Sequence, residues 1–282
     1  MNPIISFQTM EDKSHEMIPE KALIMSGYGI NSENETREAL LRSGMDADIV
    51  HVNDLIKRKY QLSDYRLLVF PGGVSFGDDT GAGNAYANKV RNNLWNDITR
   101  FLEEDNLVLG ICNGFQILAN LGLVPAFDRK LSRDVALLPN KKGVPECRYV
   151  TIKPASDSIW TKGIEKIVCP ISQGHGNFFC SKEILSDLKR RKMIAFTYCR
   201  DDLRPADGEY PYNPNGSVSD IAGITSADGK ILAMMPHPER VMDFVNEYDW
   251  PLEKERLLRQ QLPVPKKSKN MRIFRNIVEY FR

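Results

Sequence analysis

Cysteine is scarce in this chain, and the few cysteines form no recognisable pattern. They are odd in number and scattered, with no Cys-x-x-Cys pair: Cys112, Cys147, Cys169, Cys180 and Cys199. This spacing argues against a disulfide framework and against a zinc site. We therefore expect a protein of a reducing cytoplasm that binds no metal.

The sequence also lacks a long apolar run, a secretory signal and an excess of charge. Its longest apolar stretch is interrupted by Asn113, Gln116 and Asn120, unlike a membrane-spanning helix, and residues 1–21 contain no apolar signal core. The formal net charge is only +1. We therefore expect neither nucleic acid nor a membrane as a partner.

What the chain does contain is the pattern of an ordinary globular α/β protein. It has 282 residues, of which 42% are hydrophobic and 27% charged. Apolar strand patterns alternate with helical ones, which favours a parallel sheet covered on both faces. The predicted strands of this part are 21–27, 47–52, 66–70 and 107–111, and the predicted helices are 33–42 and 84–104.

The second half of the chain has a different, strand-rich pattern. Short apolar or alternating runs at 147–152, 166–172, 178–180 and 193–198 predict antiparallel additions at one edge of the sheet. Two further strands, 221–226 and 230–235, are joined by an Asp-Gly turn typical of a hairpin. We predict an open, mostly parallel sheet flanked by helices, with antiparallel edge strands.

Cys112 lies where a strand pattern changes abruptly to a helical one. It is flanked by Gly110 and Gly114, and Gly-x-Cys-x-Gly is the pattern of a nucleophile elbow, a strained corner that exposes its central side chain above the sheet. The backbone amide of Asn113, directly after it, is a candidate oxyanion donor. A buried structural cysteine is the simpler alternative, but the two glycines and the change of period favour a nucleophile.

Two glycine-rich loops are candidates for the rest of the site. Gly72 and Gly73 follow a strand, where open α/β sheets gather their sites, and could supply a second oxyanion donor or only form a tight turn. The polar stretch 172–178 suits wrapping of a small polar ligand by its backbone, or forms a plain hairpin. Its His175 has no second metal ligand at a useful spacing.

His237 and Glu239 complete the set of candidate catalytic residues. Prolines at 236 and 238 hold the segment extended, and in an extended segment residues 237 and 239 point to the same side. The imidazole of His237 could then act as a base for the thiol, while the carboxylate of Glu239 orients the imidazole. A turn before a helix beginning near Glu239 is the alternative.

These residues resemble the Cys-His-Glu triad of class I glutamine amidotransferases. The resemblance covers roughly 21–240 and is carried, in chain order, by PGGVSFGD followed by GAG, GICNGFQIL, CRYV, YPYNPNGS, and IAGITS followed by MMPHPER. Within that class the motifs are similar to those of the glutaminase subunits of phosphoribosylformylglycinamidine synthase. The resemblance implies a flavodoxin-like sheet.

The resemblance also implies roles for the residues of the site. Cys112 would attack the carboxamide of glutamine, His237 would take the thiol proton, and Glu239 would orient His237. The oxyanion would be held by the amides of Gly73 and Asn113. The residues expected to contact substrate are Gly72, Gln116, Gln173, Gly174 and His175.

The product implied by the resemblance is ammonia for a larger synthetase subunit, usually with a small accessory subunit. That partner would bind ATP and magnesium and aminate formylglycinamide ribonucleotide, so no cofactor is expected in this chain. Where the family often has Ala-His-Gly-Glu-Gly, this chain has Ser-Gln-Gly-His-Gly at 172–176. The backbone role of this loop is therefore expected to persist, while the side-chain roles of Gln173 and His175 stay open.

The two ends of the chain extend beyond the family pattern. Residues 1–20 are predicted as an N-terminal extension and 21–282 as one amidotransferase domain. Within the domain, 250–270 is a basic insertion, which forms a solvated surface or docks an acidic partner, and 271–282 is a closing helix. Two functional alternatives remain, a hydrolase acting alone, such as a peptidase or γ-glutamyl hydrolase, and a non-catalytic partner-binding module.

Overall fold

The computed structural model describes residues 20–127 and 132–282, so nearly all of the predicted N-terminal extension lies outside the described residues. The strands of the described part are β1 Lys21–Ser26, β2 Asp46–His51, β3 Leu67–Phe70, β4 Leu107–Ile111, β5 Val135–Leu138, β6 Glu146–Pro154, β7 Ile167–Gln173, β8 Asn177–Cys180, β9 Ile194–Cys199, β10 Ile221–Thr225 and β11 Ile231–Met234. The helices are α1 Glu33–Ser43, α2 Val52–Ile56, α3 Asn84–Glu103, α4 Asn113–Leu121, α5 Lys182–Arg190, α6 Trp250–Arg259 and α7 Arg272–Tyr280.

One large mixed sheet organises the molecule. Its strand order is β2-β1-β3-β4-β11-β10-β9-β6-β7. The five strands from β2 to β11 run parallel, and β10, β9, β6 and β7 continue the sheet by antiparallel pairing. This confirms the predicted mostly parallel α/β sheet with antiparallel additions at one edge.

The parallel half explains the apolar runs in the sequence. Every residue of β3, β4 and β11 is buried, because helices cover both faces of a parallel sheet and leave no strand face in water. The carboxyl ends of β3 and β4 lie side by side, with Phe70 opposite Gly110. The loops that follow these two strands are therefore neighbours, and they carry the two glycine motifs of the sequence.

Two predictions about individual elements were wrong, and one open alternative is excluded. The run 178–180 does not join the large sheet, because β8 pairs with β5 in a separate two-stranded sheet. The segment 172–178 is therefore not a hairpin, since β7 and β8 lie in different sheets. The segment from His237 to Glu239 is not extended throughout, because Pro238 begins a 3-10 turn over Pro238–Arg240.

The two segments near the C-terminus differ sharply in burial. α7 closes the fold with Ile273, Phe274 and Ile277 buried, as the amphipathic pattern predicts. The basic segment 250–270 instead contains α6, which has no buried residue. Within the described residues, no helix combines the length and the apolar character that crossing a bilayer requires.

Candidate active site

Cys112 occupies a strained corner between β4 and α4. Its backbone has φ 53° and ψ −107°, which is a costly conformation for a residue with a β-carbon. Both neighbouring glycines are needed for close approach. A β-carbon on Gly114 would lie 1.8 Å from the carbonyl oxygen of Phe70, and one on Gly110 would lie 2.5 Å from Leu118. Strain and packing together fix the thiol at the N-terminus of α4.

The loop after β3 is held by the loop after β1. The amides of Asn31 and Val74 donate to the carbonyls of Gly72 and Gly29, at 3.0 and 2.9 Å. Gly73 packs so closely here that a β-carbon would lie 2.4 Å from the carbonyl oxygen of Gly29. Backbone contacts between the two loops therefore help to fix the path of the loop after β3.

The same loop also contacts the imidazole of the site. A β-carbon on Gly72 would lie 2.5 Å from Cε1 of His237, so the ring lies flush against the backbone of Gly72. Arg240 ties the two segments together, because its Nη2 donates to the buried Ser32 hydroxyl at 2.9 Å and the amide of Ser32 donates to the carbonyl of Gly72. The glycine at position 72 therefore makes room for the imidazole of His237.

Two backbone amides beside the thiol are free to bind an anion. Within the described residues, neither the amide of Gly73 nor that of Asn113 donates a hydrogen bond. The amide of Asn113 also points out of the first turn of α4, where the helix dipole favours negative charge. Free backbone amides are the kind of donor from which oxyanion holes are built.

His237 and Glu239 form a buried hydrogen-bonded pair. Nδ1 of His237 lies 2.6 Å from Oε1 of Glu239, and the two side chains are 1% and 0% exposed. The 3-10 turn brings the carboxylate back under the ring, so the contact forms although the segment is not extended. Nε2 of His237 is on the side of the ring that faces Cys112. Among the described residues it has no hydrogen-bond partner.

The charge state of His237 follows from its neighbours. Burial opposes the charged imidazolium, but the Glu239 carboxylate and the Cys112 thiol outweigh it and raise the pKa of His237 to about 10. Cys112 contributes to this rise through its charge. The ring is therefore placed to accept the thiol proton and to remain charged afterwards.

Burial makes the thiols of the other three buried cysteines less acidic. Burial raises the pKa of the Cys169 thiol well above its usual value, and the nearby Glu239 carboxylate raises it further. Burial likewise raises the pKa of Cys180 and of Cys199 to about 11. These thiols stay protonated and inert at neutral pH. Cys112 is thus the buried cysteine that the histidine can activate.

The loop 174–176 lies across the site from α4. Nε2 of Gln116 donates to the carbonyl of His175 at 2.7 Å, and the Asn140 side chain bonds both the carbonyl of Gln173 and the amide of Gly176. The Cys112 sulfur lies 4.0 Å from the carbonyl oxygen of Ser172. The loop is thus held by its backbone.

The side chains of Gln173 and His175 point in different directions. Neither polar atom of the buried Gln173 side chain has a hydrogen-bond partner among the described residues. This side chain packs beside the Asn215 amide, against Gly176. Nδ1 of His175 lies 4.0 Å from Asp78. No group of three or more His, Cys, Asp or Glu side chains in the described part of the chain is arranged to hold a metal.

Sequence reasoning located most of the residues that the structure brings together. It missed Ser32 and Arg240, which hold the loop of Gly72, and Tyr198 and Asn215, which are hydrogen-bonded at 3.0 Å beneath the loop 174–176. Arg240 and Asn215 fall inside the MMPHPER and YPYNPNGS motifs, so the signal was present. Nothing in the local pattern marks Ser32 or Tyr198.

Comparison with known proteins identifies the family of this chain. The family model for the CobB/CobQ-like glutamine amidotransferase domain matches residues 19–281. The phosphoribosylformylglycinamidine synthase subunit PurQ of Methanococcus maripaludis is 48% identical over 266 residues, which cover 93% of this chain and 97% of that protein. Phosphoribosylformylglycinamidine synthase of Drosophila melanogaster is 36% identical over 242 residues, 83% of this chain and 18% of that longer protein.

A solved structure shows the same fold. A chain from the structure of PurLQS from Thermotoga maritima matches with a TM-score of 0.69 at 24% identity, over 94% of this chain and 100% of that chain. The chain therefore belongs to the CobB/CobQ-like glutamine amidotransferase family and, within it, to the group of PurQ subunits of phosphoribosylformylglycinamidine synthase.

Proposed function

We propose that this chain is the glutaminase subunit of a phosphoribosylformylglycinamidine synthase. It hydrolyses glutamine to glutamate and ammonia, and the ammonia passes to a synthetase that aminates formylglycinamide ribonucleotide. The observation that carries the proposal is the convergence of a strained thiol, a buried His237–Glu239 pair and two free amides.

The first half of the reaction follows from this geometry. The Cys112 sulfur attacks the carboxamide carbon of glutamine while His237 takes the thiol proton. The carbonyl oxygen becomes an oxyanion between the amides of Gly73 and Asn113, and each such donor is worth roughly 3 to 4 kcal/mol in the transition state. His237 then protonates the leaving nitrogen, and ammonia departs from a glutamyl thioester.

The second half regenerates the thiol. His237, neutral after giving up its proton, accepts one from water as the water attacks the thioester carbonyl, and the same two amides hold the second oxyanion. The thiolate leaves and takes the proton back, so that glutamate is released. Glu239 keeps the ring oriented through both steps and stabilises its charged form.

The partner and cofactors belong to the proposal as well. The names of the relatives support assembly with a large synthetase subunit, and we propose a small accessory subunit in the same complex. ATP and magnesium would bind on the synthetase, while this chain uses neither. All five cysteines are free, which fits a reducing cytoplasm as the location.

A labelling and hydrolysis experiment tests the chemistry. The chain and its synthetase partner are incubated with glutamine, or with a glutamine analogue bearing an electrophile at the side-chain carbonyl. Wild type should release glutamate and be labelled on Cys112, and Cys112→Ala should do neither. Cys147→Ala is the matched control, since Cys147 is exposed and lies on β6.

Each outcome separates the alternatives. Unchanged hydrolysis in Cys112→Ala would overturn the proposal. Full turnover by the isolated chain, indifferent to the partner, would identify a hydrolase acting alone. Absence of glutamate release under all conditions would identify a non-catalytic binding module.

A further inference from the structure

Asp78 closes a ring of polar contacts beside the nucleophile. Nδ2 of Asn113 lies 2.7 Å from Oε1 of Gln116 and 3.5 Å from Oδ1 of Asp78. Gln116 in turn donates to the carbonyl of His175, whose Nδ1 lies 4.0 Å from Oδ2 of Asp78. The ring connects the loop after β3, the first turn of α4 and the loop 174–176.

The backbone places the Asp78 carboxylate at a cost. Phe76, Gly77 and Asp78 have φ of 53°, 68° and 56°, so two residues with β-carbons adopt the left-handed region in one short turn. Each such residue costs on the order of 1 kcal/mol and persists where the surroundings enforce it. This strained turn directs the carboxylate of Asp78 toward the side chain of Asn113.

The carboxylate is poorly compensated where it lies. Its side chain is 17% exposed, and burial raises the pKa of Asp78 above its usual value. Its contacts are all long: 3.4 Å from the amide of Gly83, 3.5 Å from Asn113 and 4.0 Å from His175. No Lys or Arg forms an ion pair with it among the described residues. A half-buried carboxylate of this kind favours a cation.

Space for a small ligand adjoins the ring. A cleft of about 490 Å³ is lined by Gln116 and by residues 80–82, which directly follow Asp78 and Asp79. A glutamine whose carboxamide reaches Cys112 places its α-ammonium and α-carboxylate at the other end of the molecule, away from the sulfur. The α-ammonium is the cationic group of that substrate at neutral pH.

We propose that Asp78 binds the α-ammonium group of the substrate glutamine and thereby selects an α-amino acid over an amide that lacks this group. The inference rests on the proposed function and names the determinant of its substrate. It also has a consequence for catalysis. Asp78 lies next to Asn113, whose amide is the proposed oxyanion donor, so a bound ammonium also shields the developing oxyanion from a like charge.

The test compares two substrates in Asp78→Asn, which keeps the shape of the side chain and removes its charge. Ammonia release by the full complex is measured with glutamine and with 5-amino-5-oxopentanoate, which is glutamine without its α-amino group. With glutamine, kcat/KM should fall tenfold or more, mainly through a higher KM. With the des-amino substrate it should stay within twofold of wild type or rise. Asp79→Asn, an exposed neighbour, should match wild type with both substrates.

Two results would overturn the assignment. Equal losses on both substrates would mean that Asp78 only supports the loop, and no loss on either would mean that the carboxylate does not reach the substrate. Calorimetric binding of the same two compounds to a Cys112→Ala complex separates this inference from the proposed function. A preference for glutamine that Asp78→Asn abolishes supports the ammonium site even if wild type hydrolyses nothing, and equal binding refutes it.

Discussion

At the scale of single residues, the chemistry depends on how Glu239 controls His237. The carboxylate is fully buried, 2.6 Å from the ring, and its second oxygen has no partner among the described residues. It therefore directs its charge at the imidazole. Burial alone would keep that ring neutral and weaken it as a proton acceptor, so the carboxylate is what makes it a base strong enough for a thiol.

Replacing Glu239 by Gln should slow glutamine hydrolysis strongly. The amide retains a hydrogen bond to the ring but cannot stabilise the imidazolium, and the comparable loss in a serine triad is about 10⁴-fold in kcat. We expect a fall of about 10² to 10⁴-fold in kcat with little change in KM, measured as glutamate release by the complex. Glu255→Gln on exposed α6 is the control. A loss of less than threefold would show that Glu239 is not part of the machinery.

The same pair predicts how stability depends on pH. A histidine whose pKa is raised from 6.5 to about 10 on folding binds its proton more tightly in the folded state. Its stabilisation is complete below the unfolded pKa and is lost as pH rises toward the folded one. The free energy of unfolding should thus fall between about pH 6.5 and 10, and fall less in Glu239→Gln. Urea unfolding at several pH values measures this, and parallel curves would contradict it.

Some residues of the site could be predicted from the sequence, and others could not. Cys112 and His237 lie in short motifs in which glycines or prolines restrict the backbone. Their positions in the site could therefore be inferred from backbone preferences alone. Asp78 could not, because its importance comes from contacts with Asn113 and His175, which are 35 and 97 positions away in the chain. Contacts of this kind appear only when the loops are placed together.

At the scale of elements, the elbow is the joint between β3, β4 and α4. α4 can begin directly above the sheet because Gly114 has no side chain against Phe70. β4 was predicted with its observed bounds, because burial on both faces leaves a continuous apolar run. β8 was assigned to the wrong sheet. The apolar pattern of its four residues is the same whether the strand pairs in the large sheet or with β5.

Gly114→Ala should therefore destabilise the fold. The new β-carbon would lie 1.8 Å from the carbonyl oxygen of Phe70, so α4 or β3 must move, and overpacking of this kind costs about 3 kcal/mol. Gly174→Ala is the matched control, because its β-carbon would meet nothing within 4 Å. Chemical denaturation should show a large loss for the first variant and no loss for the second. Equal stability of the two would mean that the helix does not pack this closely.

At the scale of the whole molecule, the site is buried and the ammonia it makes must travel. Cys112 is 3% exposed, and His237 and Glu239 are still less exposed. Product made in so enclosed a site favours transfer within an assembly over release to solvent. The Drosophila relative, in which the matching region is part of one longer synthase, is arranged in keeping with this proposal.

The most direct measurement compares two nitrogen sources in the reconstituted complex. Amination of formylglycinamide ribonucleotide is followed with glutamine and, separately, with a high concentration of ammonium salt, using wild type and Cys112→Ala. The account predicts that Cys112→Ala loses the glutamine-dependent reaction entirely and keeps the ammonium-dependent one at the wild-type rate. Retention of glutamine-dependent amination by Cys112→Ala would contradict the account at its centre.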